Sequence, residues 1–406
     1  MSSTITLQAN HKNIEATVHL PASKSISNRV LIIQSLCADK FEINNLSTAH
    51  DTVTLQQLLH SNQSILNAGD GGTTFRFLLA RAALKGDSVF LTGSKRMLQR
   101  PIEPMVTALN NMGANIEYAE HKGFAPLNIN SSVLHGGEIE MDAGISSQFI
   151  TALLLIAPYL QNGLTIKLKG LEVSAPYTQM TIALMQEFGV EVNRVNEIFS
   201  VKPQQYKAQN FNVEPDWSAA SYWYAVAALS ESATILFPNL SANSLQGDQQ
   251  ISSIMEKLGV TTMVDKGGIT IHKNNRVLPD VFEYDFLNCP DLFQTICVVC
   301  AALNIPSRFT GLQTLPLKES NRLAAMQTEL RKTGAEVSHT TNSFDIIKGI
   351  SQFTDVIIDT HNDHRMAMAF APLALIFKSI TIQNPTVVIK SYPDFWKQLT
   401  ATFKTS

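Results

Sequence analysis

Several apolar, helix-like segments of this chain begin with side chains that are suited to holding an anion. The stretch "PASKSISNR" puts Lys24, Ser25 and Arg29 directly before the apolar run "VLII". The start of a helix has free N–H groups and a partial positive charge, both of which favour a bound anion. A basic side chain at that end opposes the helix dipole, so its presence predicts a negative charge supplied by a ligand. Ordinary capping by serine is the alternative.

The same arrangement recurs along the chain. "AGDGGTTFR" brings Gly72 and Arg76 to the start of a helix, with Thr73 as its expected cap. Thr74 stands where a G-x-G-x-x-G motif needs its last glycine, and the P-loop lysine is missing, so the pattern argues against a nucleotide-binding loop. Three further starts, "ISSQFITALL", "KESNRLAAM" and "NDHRMAMAF", contribute Ser146, Ser147, Gln148, Lys318, Glu319, Arg322, Asp363, His364 and Arg365. This repetition predicts a polyanionic substrate.

Two short motifs could bind a metal ion but lack further ligands. Cys297 and Cys300 form a C-x-x-C within "TICVVCAAL", whose apolar character predicts a buried helix. His361 and His364 form an H-x-x-H without the Cys, His or Glu cluster that would complete a ligand set. We therefore predict no metal and no cofactor.

Four amphipathic segments end in glycine and continue into strand-like residues. The glycines are Gly113, Gly189, Gly259 and Gly334, which are 70 to 76 residues apart. Glycine in that position is typical of a left-handed helix stop, and the regular spacing predicts a repeated α/β unit. The helical segments "DTVTLQQLLHSN" and "YPDFWKQLTATF" fill the remaining gaps, which makes about six units, or three per domain.

The composition indicates a globular enzyme. A chain of 406 residues is too long for one core, and 45% hydrophobic with 16% charged residues is ordinary for such a protein. The net charge of −3 gives no support for a nucleic-acid partner, and the apolar runs are too short to cross a membrane. With four cysteines and no signal-peptide pattern at the N-terminus, we expect a cytoplasmic protein.

Nine motifs in order resemble those of the 5-enolpyruvylshikimate-3-phosphate (EPSP) synthase family: "PASKSISNR", "GGTTFR", "LTGSKRMLQRPI", "SSQFITALL", "VSAPYT", "CPD", "LKESNRL…ELRKTGAEV", "NDHRMAM" and "KSYPDF". The resemblance implies an α/β, two-domain enolpyruvyl transferase fold, an inverse α/β barrel in which each domain has three βαβαββ repeats. The implied domains are 1–20 plus 216–406, with the phosphoenolpyruvate side and the catalytic carboxylates, and 21–215, with the shikimate 3-phosphate side.

The resemblance also implies a reaction and the residues that perform it. This family transfers the enolpyruvyl group of phosphoenolpyruvate to the 5-hydroxyl of shikimate 3-phosphate, through a tetrahedral ketal and without a metal, in chorismate and aromatic amino acid biosynthesis. The implied shikimate 3-phosphate ligands are Lys24, Ser25, Arg29, Ser146, Ser147, Gln148, Ser174, Tyr177, Asp291 and Lys318. The implied phosphoenolpyruvate ligands are Lys24, Gly72, Arg76, Arg96, Gln148, Arg322, Arg365 and Lys390. About six negative charges on the two substrates account for this many cations.

For the chemistry, the resemblance implies one acid and one base. Asp291 with Lys24 would take the proton of the 5-hydroxyl, and Glu319 would protonate carbon 3 of phosphoenolpyruvate. Asp363 and His364 would support the site. A structural ion pair between Glu319 and Arg322 is the alternative interpretation of that carboxylate.

The sequence departs from the family pattern at Ala22, Asp70, Phe77, Thr314 and Pro215. The carboxylate of Asp70 could repel phosphoenolpyruvate.

Two other functions are alternatives. A UDP-N-acetylglucosamine enolpyruvyl transferase normally has a loop cysteine, whereas Cys37, the only cysteine before Cys289, falls in a predicted core helix. A catalytically silent relative that binds phosphorylated ligands would be indicated by loss of Glu319, Asp291 or Lys24, and all three are present. We expect a monomer whose partners are its two small-molecule substrates, with no nucleic acid and no membrane.

Overall fold

A computed structural model describes residues 3–144 and 146–404 of the chain. These residues form two compact units. The split unit comprises Met1–Ala22 and Glu214–Ser406, and the continuous unit comprises Ser23–Val213. The expected domain ranges, 1–20 plus 216–406 and 21–215, lie close to these bounds.

The strands are short, as expected for repeated α/β units. In chain order they are β1 Thr4–Leu7, β2 Asn13–Thr17, β3 Ile43–Asn44, β4 Ile65–Asn67, β5 Val89–Thr92, β6 Asn115–Tyr118, β7 Leu127–Asn130, β8 Gly137–Asp142, β9 Leu164–Lys169, β10 Asn193–Val195, β11 Ile198–Val201, β12 Phe211–Asn212, β13 Ser232–Pro238, β14 Val260–Asp265, β15 Gly268–Lys273, β16 Phe282–Asp285, β17 Ser307–Thr310, β18 Glu336–His339, β19 Phe344–Lys348, β20 Val356–Ile358 and β21 Ile380–Gln383.

Helices alternate with these strands along the chain. They are α1 Lys24–Leu36, α2 His50–Leu59, α3 Gly72–Lys85, α4 Glu103–Asn111, α5 Ser147–Ile156, α6 Ala175–Glu187, α7 Trp217–Leu229, α8 Ile251–Glu256, α9 Phe293–Ala302, α10 Arg322–Arg331, α11 His364–Phe370 and α12 Phe395–Lys404. Within the described residues, none of these helices combines the length and apolar character needed to cross a membrane.

Four sheets share one strand order. In the sheet β4-β5-β7-β6, β4 and β5 are parallel, and β7 pairs antiparallel with both β5 and β6. The sheets β8-β9-β11-β10, β16-β17-β19-β18 and β2-β13-β15-β14 repeat this pattern. A helix precedes the second and the third strand of each sheet in chain order, so each sheet with its helices is a βαβαββ unit.

Two further units are shorter. In one, β20 and β21 are parallel and β1 pairs antiparallel with β21, with α11 and α12 alongside in sequence. In the other, the parallel pair β3 and β12 is the only strand pairing that accompanies α1 and α2 among the described residues. Each compact unit therefore contains three repeats, which confirms the predicted two-domain α/β fold, although one repeat in each unit is abbreviated.

Local sequence signals account for the helix ends. Gly113, Gly189, Gly259 and Gly334 have φ angles of 107°, 81°, 87° and 75°, which confirms the predicted left-handed stops after α4, α6, α8 and α10. The two predicted helices without such a glycine are α2 and α12.

The core of the split unit is built around two apolar helices. Every residue of α7 except Ser218 is buried, and so is every residue of α9 except Ala302. Cys297 and Cys300 lie inside α9, and burial raises the pKa of the Cys300 thiol to about 12. The interpretation of "TICVVCAAL" as a buried helix is confirmed.

Candidate active site

Arg29 of α1 connects three helices of the continuous unit. Its guanidinium donates from Nε to Thr181 Oγ1 of α6 at 2.8 Å and from Nη2 to Thr151 Oγ1 of α5 at 3.4 Å. It also donates to the carbonyl oxygens of Ser25, at 2.8 Å, and Tyr177, at 3.1 Å. The side chain is only 2% exposed, and burial lowers its pKa to about 10. Arg29 therefore fixes the helix starts that carry Ser25 and Tyr177.

Two more helices join this region through their first turns. Asn28 of α1 donates from Nδ2 to Thr73 Oγ1 of α3 at 2.8 Å and accepts from Thr52 Oγ1 of α2 at 2.8 Å. Lys24 Nζ lies 3.0 Å from Asp51 Oδ2 of α2, and these side chains are 17% and 4% exposed. The starts of five helices thus lie close together, an arrangement suited to anions. The sequence analysis did not identify Asp51. The feature that could have identified it is the acidic residue in the first turn of "HDTVTLQQLL".

Helix α3 begins at Gly72, with Gly71 before it and no side-chain cap. The predicted capping role of Thr73 is therefore wrong, because the N-cap position is Gly71, two residues earlier, and Thr73 lies inside the first turn, where it contacts α1. A Cβ atom on Gly72 would lie 2.8 Å from Arg100 Nη1 and 2.9 Å from Arg76 Nη1. The absence of a side chain at Gly72 lets two guanidinium groups approach the start of α3.

Arg100 is the second functional candidate that the sequence reasoning missed. It is 6% exposed, and two of the three atoms nearest to an added Gly72 Cβ are its own. The predicted residue, Arg96, lies four positions earlier, next to the short 3-10 helix Met97–Gln99, and is only partly buried. The signal that could have identified Arg100 is its place in "LQRPI", the same motif that supplied Arg96.

The serine-rich starts of α5 and α6 lie in the same unit. Ser146 caps α5, accepting from the Gln148 backbone N–H at 3.4 Å, and Ser147 is buried. Ser174, with φ 59°, precedes α6, and Tyr177 lies in its first turn. Among the residues that the structure describes, Gln148 Oε1 is buried without a hydrogen-bond partner. A buried acceptor of this kind is suited to a ligand donor.

Asp70 belongs to the loop before α3. The Ser94 hydroxyl donates to its Oδ1 atom. The carboxylate that departs from the family pattern is thus held by a neighbouring side chain.

In the split unit, Arg322 is surrounded by three carboxylates. Its Nη1 lies 2.9 Å from Asp291 Oδ1, its Nη2 3.0 Å from Glu319 Oε2, and its Nε 2.8 Å from Asp363 Oδ2. The side chain is 1% exposed. Burial alone would lower the pKa of Arg322, but the three carboxylates raise it above its usual value. Arg322 therefore orients the acidic groups of this cluster.

Asp291 also contacts a second arginine. Arg365 Nη2 lies 2.7 Å from Asp291 Oδ2, and Arg365 Nη1 donates to the Asp291 carbonyl at 3.2 Å. Burial would raise the pKa of Asp291, but Arg365, Lys318 and Arg322 together hold it well below its usual range. Asp291 is consequently ionised at neutral pH, as a proton acceptor must be.

Glu319 has an ion pair on each oxygen. Oε2 faces Arg322, and Oε1 lies 3.0 Å from Lys390 Nζ. The ion pair that a purely structural role would require is therefore present, together with a second cation from a distant part of the chain.

Asp363 joins the two arginines through the start of α11. Its Oδ1 accepts from the Arg365 backbone N–H at 2.9 Å and its Oδ2 from Ser320 Oγ at 3.2 Å. His364 Nδ1 lies 3.6 Å from Asp363 Oδ1.

A buried acid behind this cluster escaped the sequence reasoning. Asp248 is buried and receives a hydrogen bond from the Ser218 hydroxyl. Burial and the nearby Asp291 raise its pKa to about 7. Arg365 Nη1 in addition donates to Tyr222 Oη at 3.3 Å.

The predicted residues thus form two clusters, one in each compact unit. Asp291, Glu319, Arg322, Asp363, Arg365 and Lys390 are connected by ion pairs in the split unit. In the continuous unit, Lys24 pairs with Asp51, Arg29 donates to Thr181, and the guanidinium groups of Arg76 and Arg100 lie beside Gly72. Over residues 3–144 and 146–404, no group of three His, Cys, Asp or Glu side chains is arranged to hold a metal ion.

Comparison with known proteins identifies the family. A model of the family described as EPSP synthase (3-phosphoshikimate 1-carboxyvinyltransferase) matches residues 9–63 and 53–399. The chain is 43% identical over 389 residues to a 3-phosphoshikimate 1-carboxyvinyltransferase of Bacteroides fragilis, covering 95% of both proteins. It is 36% identical over 408 residues to one from Methanospirillum hungatei, covering 93% of this chain and 94% of that protein.

Solved structures give the same fold. An EPSP synthase of Acinetobacter baumannii matches with a TM-score of 0.77 at 21% identity, over 98% of both chains. From the family model and the relatives together, the chain belongs to the EPSP synthase (3-phosphoshikimate 1-carboxyvinyltransferase) family.

Proposed function

We propose that this chain transfers the enolpyruvyl group of phosphoenolpyruvate to the 5-hydroxyl of shikimate 3-phosphate and releases phosphate, a step in aromatic amino acid biosynthesis. The observation that carries the proposal is the cluster in which Arg322 contacts Asp291, Glu319 and Asp363. The cluster supplies acids for proton transfer together with cations for the substrate anions. Membership of the family supports the same reaction.

The continuous unit supplies the shikimate 3-phosphate ligands in this proposal. The hydroxyls of Ser25, Ser146, Ser147 and Ser174 bind the phosphate at the helix starts, where N–H groups and dipoles add to the attraction. Gln148 and Tyr177 bind the ring hydroxyls. Arg29 contributes indirectly, since its guanidinium already donates four hydrogen bonds to protein oxygens. Lys318 of the split unit assists Asp291 at the reacting hydroxyl.

Phosphoenolpyruvate is held by arginines and lysines. Arg76 and Arg100, which approach Gly72, bind its phosphate, and we assign this role to Arg100 in preference to Arg96. Arg322, Arg365 and Lys390 bind its carboxylate, for which a guanidinium offers a bidentate fit. Lys24 contributes to both substrates, with Asp51 holding its ammonium group in position.

The chemistry is addition followed by elimination. Asp291 accepts the 5-hydroxyl proton, while the protonated form of Glu319 delivers its proton to carbon 3. The new C–O bond gives a tetrahedral ketal. Glu319 then takes a proton back from carbon 3 as the C–O bond to phosphate breaks, and Asp291 gives its proton to the departing phosphate. Each proton-transfer group contributes about 10²–10⁴ in rate. His364 and Asp363 keep Arg365 oriented.

The test is phosphate release with phosphoenolpyruvate and either shikimate 3-phosphate or UDP-N-acetylglucosamine as acceptor, with a chelator present. We expect turnover only with shikimate 3-phosphate, and a product whose mass equals that acceptor plus the enolpyruvyl group. Turnover only with the nucleotide sugar would contradict the assignment. Binding of both substrates without phosphate release would instead identify a catalytically silent relative.

We further propose that the enzyme is a cytoplasmic monomer. Light scattering of the purified protein should give a mass near 44.7 kDa. A concentration-independent mass of twice that value would contradict the monomer.

A further inference from the structure

The H-x-x-H motif contains one histidine, His361, that the proposed chemistry does not use. Its Nε2 lies 2.8 Å from Oε1 of Glu329, a fully buried carboxylate in α10, while the histidine side chain is 31% exposed. The same carboxylate accepts the Asp359 backbone N–H at 3.0 Å through Oε2. Glu329 therefore holds the chain at two points just after β20.

The segment that Glu329 holds leads directly to Asp363. His361 and Asn362 both have left-handed backbones, with φ angles of 50° and 57°, and the Asp363 N–H donates to Thr360 O at 2.8 Å. Two consecutive residues of this kind are costly and persist only where other contacts enforce them. The His361 contacts, including its N–H bond to Asp359 Oδ1 at 2.8 Å, are such contacts.

Helix α10 contacts both ends of this turn. Near its C-terminal end Glu329 contacts His361, and at its first residue Arg322 contacts Asp363 at 2.8 Å. Asp363 in turn accepts from the Arg365 N–H. The turn thus links His361 to Asp363, and Asp363 to the backbone N–H of Arg365 at the start of α11.

We propose that His361 and Glu329 form a positioning pair, which sets the 359–363 turn and through it the orientation of Arg365 toward phosphoenolpyruvate. The kinetic part of this inference rests on the proposed function. His361 is a positioning residue, because it reaches Arg365 only through the turn.

The ion pair between His361 and Glu329 weakens as the pH rises. The groups facing His361 are Glu329 and Lys332 on α10 and Asp359 on the turn. The hydrogen bond to Glu329 raises the pKa of His361 above its ordinary 6.5, against the effects of burial and Lys332. The charged pair is complete below pH 6.5, and its contribution is lost as the pH rises through the raised pKa.

Backbone NMR tests the structural part without any turnover. His364-Arg365 is the only histidine-arginine dipeptide in the sequence. Labelling histidine with 13C at the carbonyl and arginine with 15N therefore gives one correlated amide signal, that of Arg365. We expect this signal to titrate with a midpoint above 6.5 in the wild type, and to lose that component in both His361→Gln and Glu329→Gln. A component that persists in both variants arises from a group outside the pair, such as Asp248, and would overturn the proposal.

Kinetics test the functional part. We expect His361→Gln to raise KM for phosphoenolpyruvate about threefold to tenfold at pH 6, the range for the net contribution of an ordinary hydrogen bond, and to match the wild type at pH 9. KM for shikimate 3-phosphate should stay unchanged. His339→Gln is the matched control, since His339 contacts Thr340 O and lies outside the turn.

Three results would overturn the proposal: equal KM values for His361→Gln and wild type at pH 6, an equal difference at both pH values, or the same change for both substrates. If the wild type releases no phosphate, the proposed function fails, and the Arg365 amide titration alone decides whether the pair sets the turn.

Discussion

Replacing Glu319 by glutamine separates its chemical role from its structural one. The substitution keeps the size of the side chain and one oxygen, but it removes the charge that faces Arg322 at 3.0 Å and Lys390 at 3.0 Å. A glutamine cannot deliver a proton to carbon or take one from it. The effect on the rate therefore measures the proton transfer that we assign to Glu319.

The expected magnitudes differ for rate, binding and stability. Loss of a proton-transfer group lowers kcat by about 10² or more. Loss of charge at two partly buried hydrogen bonds costs stability on the order of 1–3 kcal/mol. Removing a negative charge beside two cations cannot weaken their attraction for an anion, so KM for phosphoenolpyruvate should stay equal or fall.

Steady-state phosphate release and thermal unfolding provide the assay. Glu256→Gln, which breaks the exposed pair between Glu256 and Arg276 in the same unit, is the matched control and should leave kcat unchanged. A loss of kcat smaller than about fivefold in Glu319→Gln, with lowered stability, would refute the proton-transfer role and favour the structural ion pair.

Further predictions concern Arg100 and Asp248, two of the three residues that the sequence analysis missed. Arg100→Lys should raise KM for phosphoenolpyruvate at least about tenfold, because lysine lacks the bidentate fit, whereas Arg96→Lys should change it less than about threefold; equal effects of the two changes would contradict our choice of Arg100. Asp248→Asn should stabilise the protein at pH 8 by on the order of 1–3 kcal/mol and leave it unchanged near pH 3.8. The pKa of Asp248 is raised to about 7, so the contribution of Asp248 to the stability of the wild type falls as the pH rises from 3.8 through 7. Denaturant unfolding at both pH values checks this, and lower stability of the variant at pH 8 would refute it.

The features that the sequence predicted well are local ones. A helix stop needs a positive φ, and glycine adopts it at little cost, so Gly113 and Gly334 could be interpreted from single segments. Likewise, a wholly apolar stretch predicts a buried helix, as at Cys297. The family motifs supplied the acids that surround Arg322, although their roles await the experiments above.

What the sequence could not predict depends on distant segments. Arg100 reaches Gly72 only because the chain turns back after β5, and Asp51 reaches Lys24 only through the packing of α2 on α1. The abbreviated repeat of the split unit takes β1 from the other end of the chain. The wrong prediction that Thr73 caps α3 has a different cause. Threonine and glycine have similar preferences for the N-cap position, so local preference does not distinguish Thr73 from Gly71.

Deuterium incorporation tests the central claim of addition followed by elimination. When the reaction runs in D₂O, protonation of carbon 3 converts the methylene into a methyl group that carries one deuteron, and elimination then removes any one of its three hydrogens. We predict that the enolpyruvyl group of the product contains deuterium, and that product formation and this exchange decline together in Glu319→Gln. A product formed at the wild-type rate without deuterium would contradict the mechanism.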